Sequence, residues 1–297
     1  MKHIKSADLN NFFSSDDTEL RRELQELGCF ILDDCLDVTL VDEVHRSFIS
    51  LFELSLEEKN KYFVDKKRDP LGHGFSPFGV AKALDTGIPN LLETWDISPV
   101  KENWPEQLEK EWTTIRRYQK NLKEVSITGL KVLASSLNVD ANELLSLVDE
   151  NSIEGIHIIH YPPLEKSYEA GARRQSMHCD NTLITLIPPP FPIQTGLSVF
   201  DRKKKSWEDI EVKNGSCLVQ AGLLLELITC GSIKANLHTV SNPEPGSEEN
   251  VSRYSSPFFC SPKRGTKVQV LEKYQNQCEN GPVSLEELEK DYFKNIF

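Results

Sequence analysis

His178 and Asp180 stand two residues apart in Gln175-Ser176-Met177-His178-Cys179-Asp180-Asn181-Thr182-Leu183-Ile184-Thr185-Leu186. The segment starts polar and runs into leucine and β-branched residues, the composition of a strand. On a strand, residues two apart project from one face. An imidazole and a carboxylate side by side can chelate a divalent metal, but two ligands are too few. Among the other histidines, His3 and His45 lie in the N-terminal third and His73 on a glycine-rich stretch. His157 and His160 read as hydrogen-bonded structural histidines of one strand. His238 sits in Ala235-Asn236-Leu237-His238-Thr239-Val240, another β-like run. Two histidines and one carboxylate fill one face of an octahedron and leave three positions open, the arrangement of non-haem Fe(II) sites. Zinc accepts the same ligands. Cys179, between two inward residues, is expected to point away from the metal.

A second pair decides between these metals. Ser252-Arg253-Tyr254-Ser255-Ser256-Pro257-Phe258-Phe259 puts Arg253 and Ser255 on one strand face. A buried arginine needs an anion, and its forked donors hold a carboxylate bidentately. A neighbouring hydroxyl adds a hydrogen bond, so the pair suits the far end of a small dicarboxylate. Phe259 lies an even number of residues from Arg253 and shares that face. With Phe75 and Phe78 it is a candidate wall for a substrate. Arg173 and Arg174 read as surface charge.

These residues need a scaffold of strands. From about Ile153, apolar runs recur at 153–161, 182–187, 197–200, 207–212, 216–221, 235–240 and 254–260, with Pro and Gly between them. Evenly spaced short strands predict a sandwich or barrel. The first half is mixed. A helix over Glu19–Leu27 stops at Gly28, and Cys29-Phe30-Ile31-Leu32 follows as a buried strand. Val41, Val44, Phe48 and Leu51 fall at helical spacing, and Ser55 opens a capping box. Residues 66–81, rich in Gly and Pro, form a loop. Pro105 fits the first turn of a long helix whose stripe runs from Leu108 through Leu137. Ser284 caps a terminal helix carrying Leu285, Leu288, Tyr292 and Ile296. The predicted organisation is a mixed helical region over 1–149 and a strand-rich core with a C-terminal helix over 150–297, packed as one unit.

Composition bounds the partners. The chain has 297 residues, 38% hydrophobic and 27% charged, which suits a globular protein with a core. A formal net charge of −12 argues against a nucleic-acid partner and against anionic membranes. No apolar stretch of about 18 residues predicts a membrane span, and the N-terminus lacks a signal-peptide core. The seven cysteines are scattered without Cys-x-x-Cys, so neither a zinc site nor a disulfide framework is expected, and a cytoplasmic location follows. A monomer or homodimer with a small-molecule substrate is the expected state.

The order His-x-Asp, distal His, then Arg-x-Ser resembles the 2-oxoglutarate and Fe(II)-dependent dioxygenases, in particular the isopenicillin N synthase-like group. Gly28-Cys29-Phe30, Leu54-Ser55-Leu56-Glu57-Glu58-Lys59, Gly72-His73-Gly74-Phe75-Ser76-Pro77, Leu92-Glu93 and Tyr161-Pro162-Pro163 resemble further landmarks of that family. The chain departs from its pattern at Cys179, Thr239, Leu223 and Ile159. The resemblance implies a distorted double-stranded β-helix, or jelly roll, flanked by N-terminal helices. It implies Fe(II) held by His178, Asp180 and His238, and 2-oxoglutarate held by Arg253, Ser255 and Tyr161. O2 is the oxidant, ascorbate a reductant, and succinate and CO2 the co-products. Halogenating relatives replace the carboxylate ligand, so Asp180 favours hydroxylation, desaturation or ring closure of a small metabolite. A 2-oxoglutarate-independent Fe(II) oxidase and a non-enzymatic small-molecule-binding jelly roll are the alternative readings.

Overall fold

The computed structural model describes residues 1–13, 17–64, 72–83, 86–97, 104–148, 153–164, 168–244, 246–263, 265–278, 284 and 287. In chain order its strands are β1 His3–Lys5, β2 Cys29–Asp33, β3 Gly74–Ser76, β4 Glu93–Asp96, β5 Ile153–Tyr161, β6 Gln175–His178 and β7 Ile184–Ile187. They continue with β8 Leu197–Asp201, β9 Ser206–Asp209, β10 Cys217–Ala221, β11 His238–Val240, β12 Arg253–Ser255 and β13 Phe258–Ser261. The helices are α1 Leu9–Phe12, α2 Thr18–Glu26, α3 Val38–Phe52, α4 Leu56–Asn60, α5 Glu109–Leu137, α6 Ala141–Leu145 and α7 Leu223–Ile228.

Caps set the helix starts. The side chains of Asp17, Asp37, Ser55 and Asp140 each accept a backbone N–H from the first turn of α2, α3, α4 and α6. The long helix starts later than the sequence predicts. Pro105 is extended (φ −59°, ψ 124°) and precedes a single 3-10 turn, Glu106–Leu108, before α5 begins. The predicted stripe is buried from Ile115 to Leu137, and α5 ends where Asn138 turns left-handed at φ 53°.

Among the described residues, nine strands make a large sheet in the order β1-β2-β10-β7-β13-β5-β4-β3, with β12 also paired to β5. Four make a small sheet, β6-β11-β8-β9. Alternation along each strand gives the large sheet two apolar faces. Phe30, Leu32, Ile156, Ile158, Ile184, Leu186 and Val219 join the helices in one core. Cys29, Ile31, Ile159, Tyr161, Ile187 and Leu218 join Leu197, Val199 and Val240 of the small sheet in a second. The two sheets therefore enclose an interior, the double-stranded β-helix expected.

Several expectations are corrected in detail. The run from Gln175 to Leu186 is two strands, β6 and β7, in different sheets, and Asp180 lies on the connection between them. The run 254–260 is also two strands, broken at Ser256-Pro257, where proline has no N–H to donate. The glycine-rich loop holds strand β3, paired to β4. There Gly74 has φ 125°, and a Cβ would stand 2.3 Å from the Tyr62 carbonyl. Cys230 and Cys278 form a disulfide that their spacing did not signal. Ser284 and Glu287 make the predicted capping box, but Leu285, Leu288, Tyr292 and Ile296 lie outside the described residues. Among those described, no helix is long and apolar enough to cross a membrane.

A charged network ties β4 to the helical layer. Glu93 receives Lys59 Nζ at 2.9 Å and lies 2.8 Å from His160 Nδ1, with both its partners largely enclosed. Burial pushes the Glu93 carboxyl up, but His160 and Lys59 outweigh it and hold the carboxyl below its usual 4.5. The folded chain therefore binds this proton less readily than the unfolded chain. The stabilisation is complete above pH 4.5 and drains away as pH falls through the lower folded value. Glu93→Gln is expected to cost roughly 3 kcal/mol at neutral pH, because it leaves the buried Lys59 ammonium without its anion. It should also flatten the acid limb of stability against pH, both read from denaturant melts.

Candidate active site

The interior between the sheets is a cavity, and the candidate residues converge on it. His157, Ile159 and Tyr161 from β5 line it, with Gln175 and His178 from β6 and His238 and Val240 from β11. Arg253, Ser255, Pro257 and Phe259 complete one side, and Asp180, Ile187 and Leu197 the rest.

His178 and His238 are register partners across the β6–β11 pair, with ring centroids 4.2 Å apart. Each ring is fixed in the same way. His178 Nδ1 lies 2.9 Å from the Ser176 carbonyl and His238 Nδ1 lies 3.2 Å from the Asn236 carbonyl. A carbonyl only accepts, so each Nδ1 carries the proton and each Nε2 keeps its lone pair for a metal. Asp180 Oδ1 is 3.5 Å from His178 Nε2, and one donor atom from each of the three residues falls within 4.8 Å of the others.

The connection that carries Asp180 is held by backbone. The N–H groups of Gly222, Leu223 and Leu224, at the start of α7, donate to the carbonyls of Leu183, Asp180 and Thr182. Only glycine fits at 222, since a Cβ would stand 2.0 Å from the Thr182 carbonyl oxygen. Gly222→Ala is expected to cost about 1–3 kcal/mol of stability. Through the displaced turn it should also cost about 10–100-fold in metal affinity. Thermal melts and metal titration check the two effects.

The charges suit a cation. Burial pushes the Asp180 carboxyl up, yet the bond to His178 and the charges of His238 and His178 hold it well below the usual range. Burial and the neighbouring His178 push His238 down to about 4. At neutral pH the set is therefore one carboxylate and one imidazole kept uncharged, with the His178 imidazole raised by Asp180 despite its burial.

At the other end of the cavity Arg253 is 3% exposed and lies opposite Tyr161 in the β12–β5 register, its guanidinium carbon 5.3 Å from the Tyr161 ring centre. Its Nε and Nη1 have no hydrogen-bond partner among the described residues. An unpaired buried cation is costly, so these donors fit an anionic ligand at the site. Ser255, on the same strand, is also buried against the cavity. Arg174 is a correction: it is buried, not surface charge. It donates to the Val251 carbonyl at 2.9 Å and to Gln194 at 3.3 Å, and its guanidinium flanks the same tyrosine at 5.8 Å. Arg173 is exposed as expected.

Of the three phenylalanine candidates, only Phe259 reaches the cavity. Phe75 is fully buried in the helical-side core against Trp95 and beneath Lys59, because β3 and β4 turn it away from the interior. Phe78 is 38% exposed and packs on Tyr168. His160 is the structural residue predicted, bonded to Glu93 and Ser252. His157 is bonded too, to Asp96 at 2.5 Å, but it also lines the cavity. Sequence reasoning missed this because Asp96 stands 61 residues away on a strand too short to signal itself. Cys179 points its thiol toward the Ala235 carbonyl and is absent from the cavity wall.

A family model described as the 2OG-Fe(II) oxygenase superfamily matches residues 153–262, the span that carries every one of these cavity residues. Residues 153–262 are thus similar to the 2OG-Fe(II) oxygenase superfamily. Flavonol synthase 1 from Crocosmia x crocosmiiflora is 28% identical to this chain over 243 residues, covering 80% of the chain and 70% of the synthase. The crystal structure of a full-length Neurospora crassa protein in complex with alpha-KG superimposes with a TM-score of 0.81 at 21% identity, covering 98% of this chain and 95% of that one. A putative 2OG-Fe(II) oxygenase family protein from Caulobacter crescentus gives a TM-score of 0.79 at 23% identity, covering 100% and 99%. These two likenesses establish the fold of the chain.

Proposed function

We propose that this chain is an oxygenase in which His178, Asp180 and His238 hold the Fe(II), Arg253, Ser255 and Tyr161 hold the distal carboxylate of 2-oxoglutarate, and the wall at Phe259 receives a small organic metabolite. The observation that carries this reading is Arg253: a buried guanidinium with Nε and Nη1 unpaired, in the same cavity onto which two imidazoles and a carboxylate converge. Ferrous iron bound with the keto acid and O2 supplies the oxidation, in which 2-oxoglutarate leaves as succinate and CO2 and a C–H bond of the metabolite is oxidised.

The protein's own part is placement and charge. The carbonyls of Ser176 and Asn236 hold the two Nδ1 protons and so aim both Nε2 atoms inward. Asp180 keeps its negative charge because its neighbours stabilise it. Ile187, Leu197 and Val240 give the same cavity an apolar lining, and an apolar surround strengthens an ion pair with a carboxylate. A dicarboxylate gripped at its far end is oriented toward the metal, which favours reaction by restricting its motion.

A small metabolite as substrate is supported by the enclosed position of the cavity between the two sheets and by the name of the Crocosmia relative, a flavonol synthase. The early Gly-Cys-Phe and Leu-Ser-Leu-Glu-Glu-Lys landmarks support the isopenicillin N synthase-like group within the superfamily. Arg253 argues for a 2-oxoglutarate-dependent member over an independent one. The test is a succinate-release screen over small metabolites with Fe(II), O2 and 2-oxoglutarate. Succinate formed in step with one oxidised metabolite is the expected result. Oxidation of a metabolite with no succinate would overturn the assignment of Arg253.

A further inference from the structure

Tyr161, Ile159 and His157 form one inward row on β5. Tyr161 marks the end occupied by Arg253. His157, four residues away, stands about 13 Å along the strand from it. Its backbone N–H donates to the Pro257 carbonyl at 2.9 Å, and its ring centre lies 5.8 Å from that of Phe259. This end of the cavity therefore sets one polar ring beside an apolar wall.

Asp96 is its register partner on β4, and Asp96 Oδ1 is 2.5 Å from His157 Nδ1. A carboxylate accepts, so the Nδ1 proton belongs to that bond and Nε2 is the ring atom left to face the cavity. Among the described residues nothing else bonds Nε2. His160 on the same strand makes the contrast. It has the same carboxylate pairing, to Glu93, but its Nε2 is taken by Ser252 and it faces the helices. Burial is the largest single influence and pulls the His157 imidazole down, but the charge and hydrogen bond of Asp96, with the charge of Asp180, together raise it, which favours a second N–H over a lone pair.

Resting on the functional reading above, we infer that His157 selects the prime substrate, and that this substrate is a small organic acid whose carboxylate accepts a hydrogen bond from His157 Nε2 while its apolar body lies on Phe259 and Pro257. The carboxylate of the substrate and the distal carboxylate of 2-oxoglutarate are thus received at opposite ends of one row, which keeps the two acids from exchanging places. Asp96 is the positioning residue that fixes the ring and its tautomer.

The test uses anaerobic enzyme saturated with Fe(II) and 2-oxoglutarate, so that the Arg253 end is filled. Phenylacetate, 3-phenylpropanoate and trans-cinnamate are the probes, each against its methyl ester. Binding is read from the shift of the metal-to-ligand charge-transfer band and from broadening of the probe's proton resonances. For the wild type, at least one acid is expected to bind about 10–100-fold more tightly than its ester, the worth of a charge-assisted hydrogen bond. His157→Leu and Asp96→Asn should both abolish that preference, and Asp96→Asn carries the test if the leucine variant melts at the temperature of assay. No acid preferred over its ester in the wild type, or a full preference kept by a folded variant, overturns the inference. The charge-transfer band of the wild type before any probe is added separates the two claims. Its absence counts against the iron and co-substrate reading, whereas its presence with no acid preference counts against His157 alone.

Discussion

Asp180→Ala leaves a folded protein that no longer retains Fe(II) and no longer decarboxylates 2-oxoglutarate. The expected loss of metal affinity exceeds about 100-fold, because even the outer partners of metal ligands are worth about 10–100-fold and this change removes a ligand itself. Removing the carboxylate also takes away the only acidic member of the three-residue cluster. The fold should survive, since Asp180 sits on a connection whose backbone is held by Gly222, Leu223 and Leu224, not by its side chain. The change also relieves burial of a charge among the two histidines. Iron retained after gel filtration, measured against melting temperature, separates lost metal from lost structure.

Arg253→Ala has the second largest effect, and its sign differs between the free protein and the complex. Losing a charge-assisted bond to the co-substrate costs about 1.5–3 kcal/mol, or about 10–100-fold in 2-oxoglutarate affinity. In the free protein the arginine is 3% exposed with two donors unpaired, and its pKa is lowered by burial despite Tyr161. Taking away a buried cation with two donors unpaired is expected to leave the melting temperature unchanged or higher. Added 2-oxoglutarate at 100 times its dissociation constant stabilises a binding protein by about 2.7 kcal/mol. The wild type should show that upward shift and Arg253→Ala should show little of it. A variant that lost stability without ligand, or kept the full ligand-induced shift, would contradict the role given to this arginine.

The convergence of two imidazoles and a carboxylate was legible because residue identity carried it. His178, Asp180 and His238 are chemically distinctive, and His-x-Asp survives any small error in where a strand ends. The strand-face reason for the pairing nonetheless fails in one respect. Asp180 is not on a strand, and it meets His178 because the chain turns there from the small sheet into the large one. The arginine and serine were legible through strand period alone, as was Phe259, whose inward face survives the break at Pro257. Phe75 shows the limit of that reasoning. An aromatic residue in a glycine-rich stretch suggests a pocket wall, but β3 pairs with β4 and packs Phe75 onto Trp95.

What stayed hidden depends on contacts between distant segments. Arg174 looked like surface charge because nothing in Arg173-Arg174 says which of the two turns inward; its partners, Gln194 and Val251, lie on later segments. The Asp96 carboxylate acquires meaning only when β4 pairs with β5. The Cys230–Cys278 disulfide joins residues 48 apart in a chain whose cysteines show no spacing pattern. The role of Gly222 in holding the Asp180 connection emerges only from the close approach of Thr182.

The most direct test of the ferrous site is an anaerobic titration of the protein with Fe(II) in the presence of 2-oxoglutarate, followed by the visible charge-transfer absorption of the chelate. A band that saturates at one iron per chain, and is absent from both Asp180→Ala and His238→Ala, is the predicted result. A wild-type protein with no band, or a band that persists unchanged in those two variants, would mean that these three side chains do not hold the iron.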